Sequence, residues 1–189
     1  MKNRLDYNSP VVLSFFFLSF GVLLLNFATG GLSNKLLFSV YRSPMGLFTF
    51  LRFFGHVLGH AGWEHFLGNM MMFLAIGPAL EEKYGSRQLL AGMLATAFIS
   101  GLIYFIFFPG TGLLGASGIV FMMILLSSLS GMKEGKIPMT LLLVGALYFG
   151  KELYGMAFVH DGTANLAHIA GGVCGTLAGF IMERKGIQK

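Results

Sequence analysis

Charge is the scarcest thing in this sequence. Of 189 residues, 13 are Lys or Arg and 8 are Asp or Glu, 11% in all, where a soluble domain carries about 25%. That is too little polar surface to cover a water-soluble fold. The hydrophobic share of 55% excludes a disordered chain, and with 27 Gly but only 5 Pro a collagen-like or low-complexity class is excluded too. Cys174 is the single cysteine, so no internal disulfide can hold the fold. What is present instead is apolar mass: 20 Phe, 12 Met and a mean hydropathy of +0.74. These numbers describe a polytopic membrane protein with almost nothing outside the bilayer.

A transmembrane helix takes about 20 mostly apolar residues, within a range of roughly 17–25. Six runs meet or approach this: about 11–28, 63–80, 89–108, a short fourth at 114–129, 137–154 and 164–182. They are continuous rather than alternating, so helices are expected and not a barrel. The first run follows Lys2 and Arg4 as in a signal peptide, yet it is too long for an h-region and lacks a small-residue cleavage site, so it reads as a retained helix. The expectation is one all-α domain over 1–189, six transmembrane helices with a short central fourth, and no soluble domain.

Lys and Arg orient the bundle. With cytoplasmic termini, nine fall inside (Lys2, Arg4, Lys83, Arg87, Lys133, Lys136, Arg184, Lys185, Lys189) and four outside (Lys35, Arg42, Arg52, Lys151). The net charge of +5 is therefore a topology signal. No nucleic-acid partner is expected, and the setting is a cell (inner) membrane. The longest connection, Thr29–Gly62, is rich in Phe and Tyr and poor in charge, so it is expected to lie half embedded in the outer interface.

Polar residues inside a membrane are functional candidates. On this topology the second, fourth and sixth helices begin on the outer side, where His65 and Asn69, Ser117, and His168 lie respectively. Helix rise puts Ser117 and His168 each about 21 Å above the inner ends of their helices, with Asn69 and His65 at about 18 and 24 Å. Four polar side chains from three helices thus share one layer. The fourth run is too short to reach the outer surface, so Pro109-Gly110-Thr111-Gly112 must carry irregular backbone into the membrane, which requires burial or a water-filled cavity.

A serine hydroxyl becomes nucleophilic when a base takes its proton, and His is the usual base. Ser117 lies in Gly115-Ala116-Ser117-Gly118 at a helix start, where unpaired N–H groups and the dipole suit an oxyanion. Asn69 and His65, four apart, share a helix face. Gly171 and Gly175 share a stripe with His168, and small residues there would let its helix approach Ser117.

The segment from His60 to Asn69, then Gly115-Ala116-Ser117-Gly118, then Ala167-His168-Ile169-Ala170-Gly171 together resemble the rhomboid intramembrane serine proteases. The likeness runs from about Arg52 to Gly179, and the first helix and long loop match the six-helix bacterial form. It implies Ser117 as nucleophile and His168 as general base in a dyad. It implies His65, Asn69 and the Ser117 N–H as oxyanion donors, His60 and Arg52 as organisers of the outer loop, Gly115 and Gly118 as the glycines of the GxSG motif, and Gly171 as the close-packing glycine after the base. It also implies a substrate gate in the fifth helix and the loop 155–165, transmembrane proteins as substrates, and no cofactor. Two positions depart from the family: Leu51 precedes Arg52 where Trp is common, and Phe121 stands where a Tyr commonly stacks on the base.

Other readings of these residues are weaker. His56 and His60 have zinc-like spacing, but no H-E-x-x-H order and no further ligand accompany them, so no metal is expected. Asp161 beside His160 reads as a solvated loop residue, and Lys151 with Glu152 as a helix end. Glu64 suits an exposed helix start, and Cys174 a small core hydrophobe. A transporter would need polar residues through the full thickness, whereas the inner halves of these helices are apolar. The competing function is a non-catalytic rhomboid-like membrane-protein binder, whose members usually lack the Ser or the His. Sequence leaves the substrate, the cleavage position and the oligomeric state open.

Overall fold

The computed structural model describes residues 6–129, together with 139–140, 142–147, 150, 169–174, 176–177 and 181. Six helices order the continuous part: α1 (Pro10–Ala28), α2 (Leu32–Leu37), α3 (Leu47–Gly55), α4 (Trp63–Tyr84), α5 (Ser86–Phe107) and α6 (Ser117–Leu129). Shorter helical stretches follow within 139–150 and 169–181. Among the described residues the only β pairing is an isolated bridge between Val40 and Leu113.

The first four apolar runs correspond to α1, α4, α5 and α6. The helix after the Gly115 turn starts at Ser117, not at residue 114, because Gly115 takes a positive φ of 124° that an α-helix does not contain. The runs at 137–154 and 164–182 are described only in part. His168, the 155–165 loop, His160, Asp161, Lys151, Glu152 and the basic residues near both termini and at 133–136 lie outside the described residues.

α1 and α5 are long and apolar enough to cross a membrane by length and composition. Their outward side chains include Phe17, Leu18, Leu90, Leu94 and Phe107, all 43% or more exposed. A surface of this kind has lipid as its solvent, not water. α6 is different. At 13 residues it rises about 20 Å, short of the roughly 30 Å core, and ten of its residues are buried. α4 and α5 pack directly against it, and α1 packs on α4 and α5.

Close approach to α6 depends on small residues. A Cβ at Gly77 of α4 would lie 2.7 Å from Val12 of α1 and 3.0 Å from Met123 of α6, so three helices meet at one glycine. At the end where α1 begins, Glu81 of α4 is 4% exposed and accepts hydrogen bonds from the backbone N–H of Val11 (2.9 Å) and Val12 (3.0 Å) and from Ser86 Oγ (2.7 Å). α1 has no side-chain cap of its own. A carboxylate from another helix satisfies two of its orphan donors and suits the positive end of its dipole.

The connection from Thr29 to Gly62 contains two helices that its irregular composition had not signalled, α2 and α3. α3 lies against α5, with Phe53 edge-on to Phe98 and Phe105, and Phe54 stacked on Phe98. Its other face exposes Leu47, Phe48 and Phe50. One face on the bundle and one apolar face outward is the geometry of an interfacial helix.

Candidate active site

The site begins with the backbone that delivers α6. Val40 and Leu113 exchange two hydrogen bonds, N–H to O at 2.9 and 2.8 Å, and the Gly115 N–H donates to the His56 carbonyl at 2.9 Å. The irregular stretch 109–116 is thereby hung on the α2–α3 connection through Val40 and on the α3–α4 turn through His56, which satisfies backbone groups that lipid could not. Tyr104 Oη adds a hydrogen bond to Thr111 Oγ1 at 2.6 Å.

The positive φ of Gly115 turns the chain into α6 and brings its α-carbon against His65. A Cβ there would lie 2.6 Å from His65 Nε2 and 3.8 Å from Asn69 Nδ2. The glycine therefore serves two needs at once, a left-handed turn and room for an imidazole. Asn69 Nδ2 donates to the His65 carbonyl at 3.0 Å. An amide nitrogen carries two hydrogens, so a second donor is left on the same atom. The His65 ring also meets the His60 ring edge-on, with centroids 5.2 Å apart.

These groups line a cavity of about 380 Å³ formed by Glu64, His65, Gly68, Asn69, Leu113, Leu114 and Ser117. Ser117 is half-buried there at the first position of α6. The first intrahelical bond into this turn is Val120 N–H to Ala116 O at 2.9 Å, so the N–H groups of 117, 118 and 119 have no acceptor inside the helix. A hydroxyl, a donor pair from α4 and a helix N-terminus around one opening can bind an anionic tetrahedral centre. Glu64 is exposed at the cavity rim, in the first turn of α4.

The glycines and the outer-loop residues are placed as follows. Gly171 abuts the Gly118 backbone so closely that a Cβ there would overlap the Gly118 carbonyl, and Gly172 stands equally close to the Phe121 ring. The helical stretch 169–174 therefore packs on the first turns of α6, and Ala170 is buried within it. Arg52 is buried; its Nε donates to Leu36 O (3.0 Å), its Nη1 to Ser43 Oγ (3.2 Å), and its guanidinium lies over the Tyr41 ring at 4.3 Å. Asn34 of α2 donates to the His60 carbonyl at 3.0 Å.

His56 and His60 lie in the turn between α3 and α4, outside the spanning helices. Nε2 of His56 faces the Ala97 carbonyl at 3.0 Å and Nδ1 of His60 faces the Leu58 carbonyl at 3.1 Å. Burial pushes both down from 6.5 to about 4. Both are neutral at pH 7, and each donates one ring N–H to a different carbonyl, while the other ring nitrogens, His56 Nδ1 and His60 Nε2, are buried without a hydrogen-bond partner among the described residues.

Sequence reasoning missed the His56 carbonyl, the Val40–Leu113 bridge and Asn34, because main-chain tethers leave no periodic signal. It also missed Glu81, which did have one: a carboxylate at the end of an apolar run. A larger cleft of about 550 Å³ is lined by Ser9, Pro10, Glu81 and Ser86 among others. Of its two carboxylates Glu81 is committed to the α1 backbone and Ser86 and Glu82 is exposed, and among the described residues no histidine lines it. Compared with known families, residues 47–185 match the Rhomboid domain.

Proposed function

The chain belongs to the rhomboid family, whose members are generally intramembrane serine proteases, and on that premise we propose that it is a serine endopeptidase acting on transmembrane segments. The observation that carries the reading is the cavity where His65 and Asn69 of α4 face Ser117 at the start of α6. Gly171 seated on Gly118 supports it, because Ile169, covalently next to His168, belongs to that same packed stretch.

The reaction is acyl transfer. Ser117 Oγ attacks the substrate carbonyl while His168 takes its proton. The carbonyl oxygen gains the negative charge and is held by the Ser117 N–H, His65 and Asn69. His168 then protonates the leaving amine, and water entering from the outer side releases the acyl group. No residue in this scheme requires a cofactor. The arrangement proposed around it is six transmembrane helices in one domain, with cytoplasmic termini in the inner membrane and the fifth helix with the 155–165 loop as the way in for substrate.

The test is a cleavage assay against a panel of single-pass proteins in membranes, run beside labelling with a fluorophosphonate serine probe. Wild type is expected to cleave at least one and to be labelled. Ser117→Ala and His168→Ala are expected to lose both, about 10⁴-fold or more, while remaining folded. Undiminished cleavage by purified Ser117→Ala would sink the mechanism. A folded wild type that neither cleaves nor labels would instead favour the non-catalytic binder.

A further inference from the structure

A third cavity, of about 260 Å³, lies between α1 and α5 on the lipid-facing side of the bundle, with the turn after α3 above it. Its height in the bundle follows from Glu81, whose carboxylate holds both the first turn of α1 and Ser86 at the start of α5. The two helices therefore start at one level. Leu18 is eight residues above Pro10 and Leu94 eight above Ser86, about 12 Å in each case. These walls face each other, and with Leu90 they are 43–59% exposed. The roof is Phe54 and Leu58, fixed in place by His56 on the Ala97 carbonyl, about 17 Å above Ser86. Phe54 and Leu58 close the slot at the top, and Phe15 and Leu90 are its lowest lining residues.

That shape selects its occupant. From Leu90 to Ala97 the slot rises about 10 Å, and a helix is about 10–12 Å across with side chains. A volume of about 260 Å³ over that rise cannot hold a helix but can hold hydrocarbon chain. A blind roof requires the chain to end there. Below Leu90, one turn earlier on the stripe Arg87, Leu90, Leu94, Ala97, stands the exposed Arg87. Among the described residues no carboxylate bonds to it, since Glu81 is occupied by α1 and Ser86. We propose that this slot binds an acyl chain of an anionic phospholipid, from the leaflet at which α1 and α5 begin, with its phosphate at Arg87.

The test uses the full chain in phosphatidylcholine vesicles. They contain a small fraction of a lipid with a photoactivatable group at the end of one acyl chain, offered with either a phosphatidylglycerol or a phosphatidylcholine head. Adducts located by mass spectrometry are expected at Phe54, Leu58 and Leu94. They are expected to be about fivefold more abundant with the anionic head, the weight of one basic residue at a charged surface. Leu90→Trp fills the slot and should remove these adducts while leaving those at Leu24 and Phe107, which reports that the bundle is intact. Arg87→Gln should make the two heads equal. Adducts spread evenly over lipid-facing positions, or undiminished by Leu90→Trp, would overturn the slot. Equal labelling by both heads in wild type would overturn its anionic preference.

Discussion

The two ends of the bundle are held together in different ways. Where α1 and α5 begin, one side chain, Glu81, joins three helices, and below the candidate site α4 and α6 present apolar side chains such as Phe73, Met123 and Leu126. At the other end the chain is irregular from 109 to 116 and is tethered by the Val40–Leu113 pair and by Gly115 to His56, while the connection it hangs on is itself tied by Asn34 to His60 and Arg52 to Leu36. Apolar helices pack by themselves once their backbones are paired. A water-accessible opening in the membrane does not, because each non-helical N–H and C=O near it must find a partner. The tethered end is where the candidate site lies.

Substitutions should separate the two ends, and the largest effect belongs to the tethered one. Gly115→Ala places a methyl in the space of the His65 ring on a backbone with φ of 124°. Loss of the His65 donor should lower cleavage about 10²-fold or more, read as initial rate on a substrate that wild type cleaves, with Ser117 probe labelling falling in step. Gly171→Ala comes next, since the added methyl meets the Gly118 backbone rather than a flexible side chain. Overpacking there should cost about 1–3 kcal/mol, seen as a lower unfolding temperature in micelles together with lost activity.

At the clamped end, Glu81→Ala leaves two α1 N–H groups without their acceptor. By analogy with a lost cap it should cost about 1–2 kcal/mol, with the surviving folded protein still labelled by the serine probe. Were labelling lost while the fold persisted, the separation between the ends would be wrong. The smallest effect is expected at Gly21 of α1, where a Cβ meets nothing within 4 Å. Gly21→Ala should leave activity unchanged and raise stability by up to about 1 kcal/mol through helix propensity.

Much of this was legible from residue order. Continuous apolar runs mark α1, α4, α5 and α6 because lipid admits few backbone arrangements other than a helix. His65, Asn69 and Ser117 stand out because polar side chains at membrane depth are rare, and the structure brings them around one cavity. α2 and α3 were not legible: at six and nine residues they are too short for periodicity to outweigh local composition, and packing on the bundle stabilises them more than propensity does. The start of α6 at Ser117 was also blurred, since a glycine in a GxSG run announces freedom of the backbone but not the φ it takes.

The sequence by itself determined the solvent and the chemistry on offer. Eight carboxylates and thirteen basic residues in 189 cannot keep this chain in water, and a Ser between glycines with His and Asn at helical spacing defines a small set of reactions. Tertiary structure alone decided how the site is held. Main-chain groups of residues far apart in sequence, His56 with Gly115 and Val40 with Leu113, must meet because a bilayer offers them no water. Backbone atoms are the same in every residue, so their pairing leaves no mark in the residue types and emerges only when the helices close around α6.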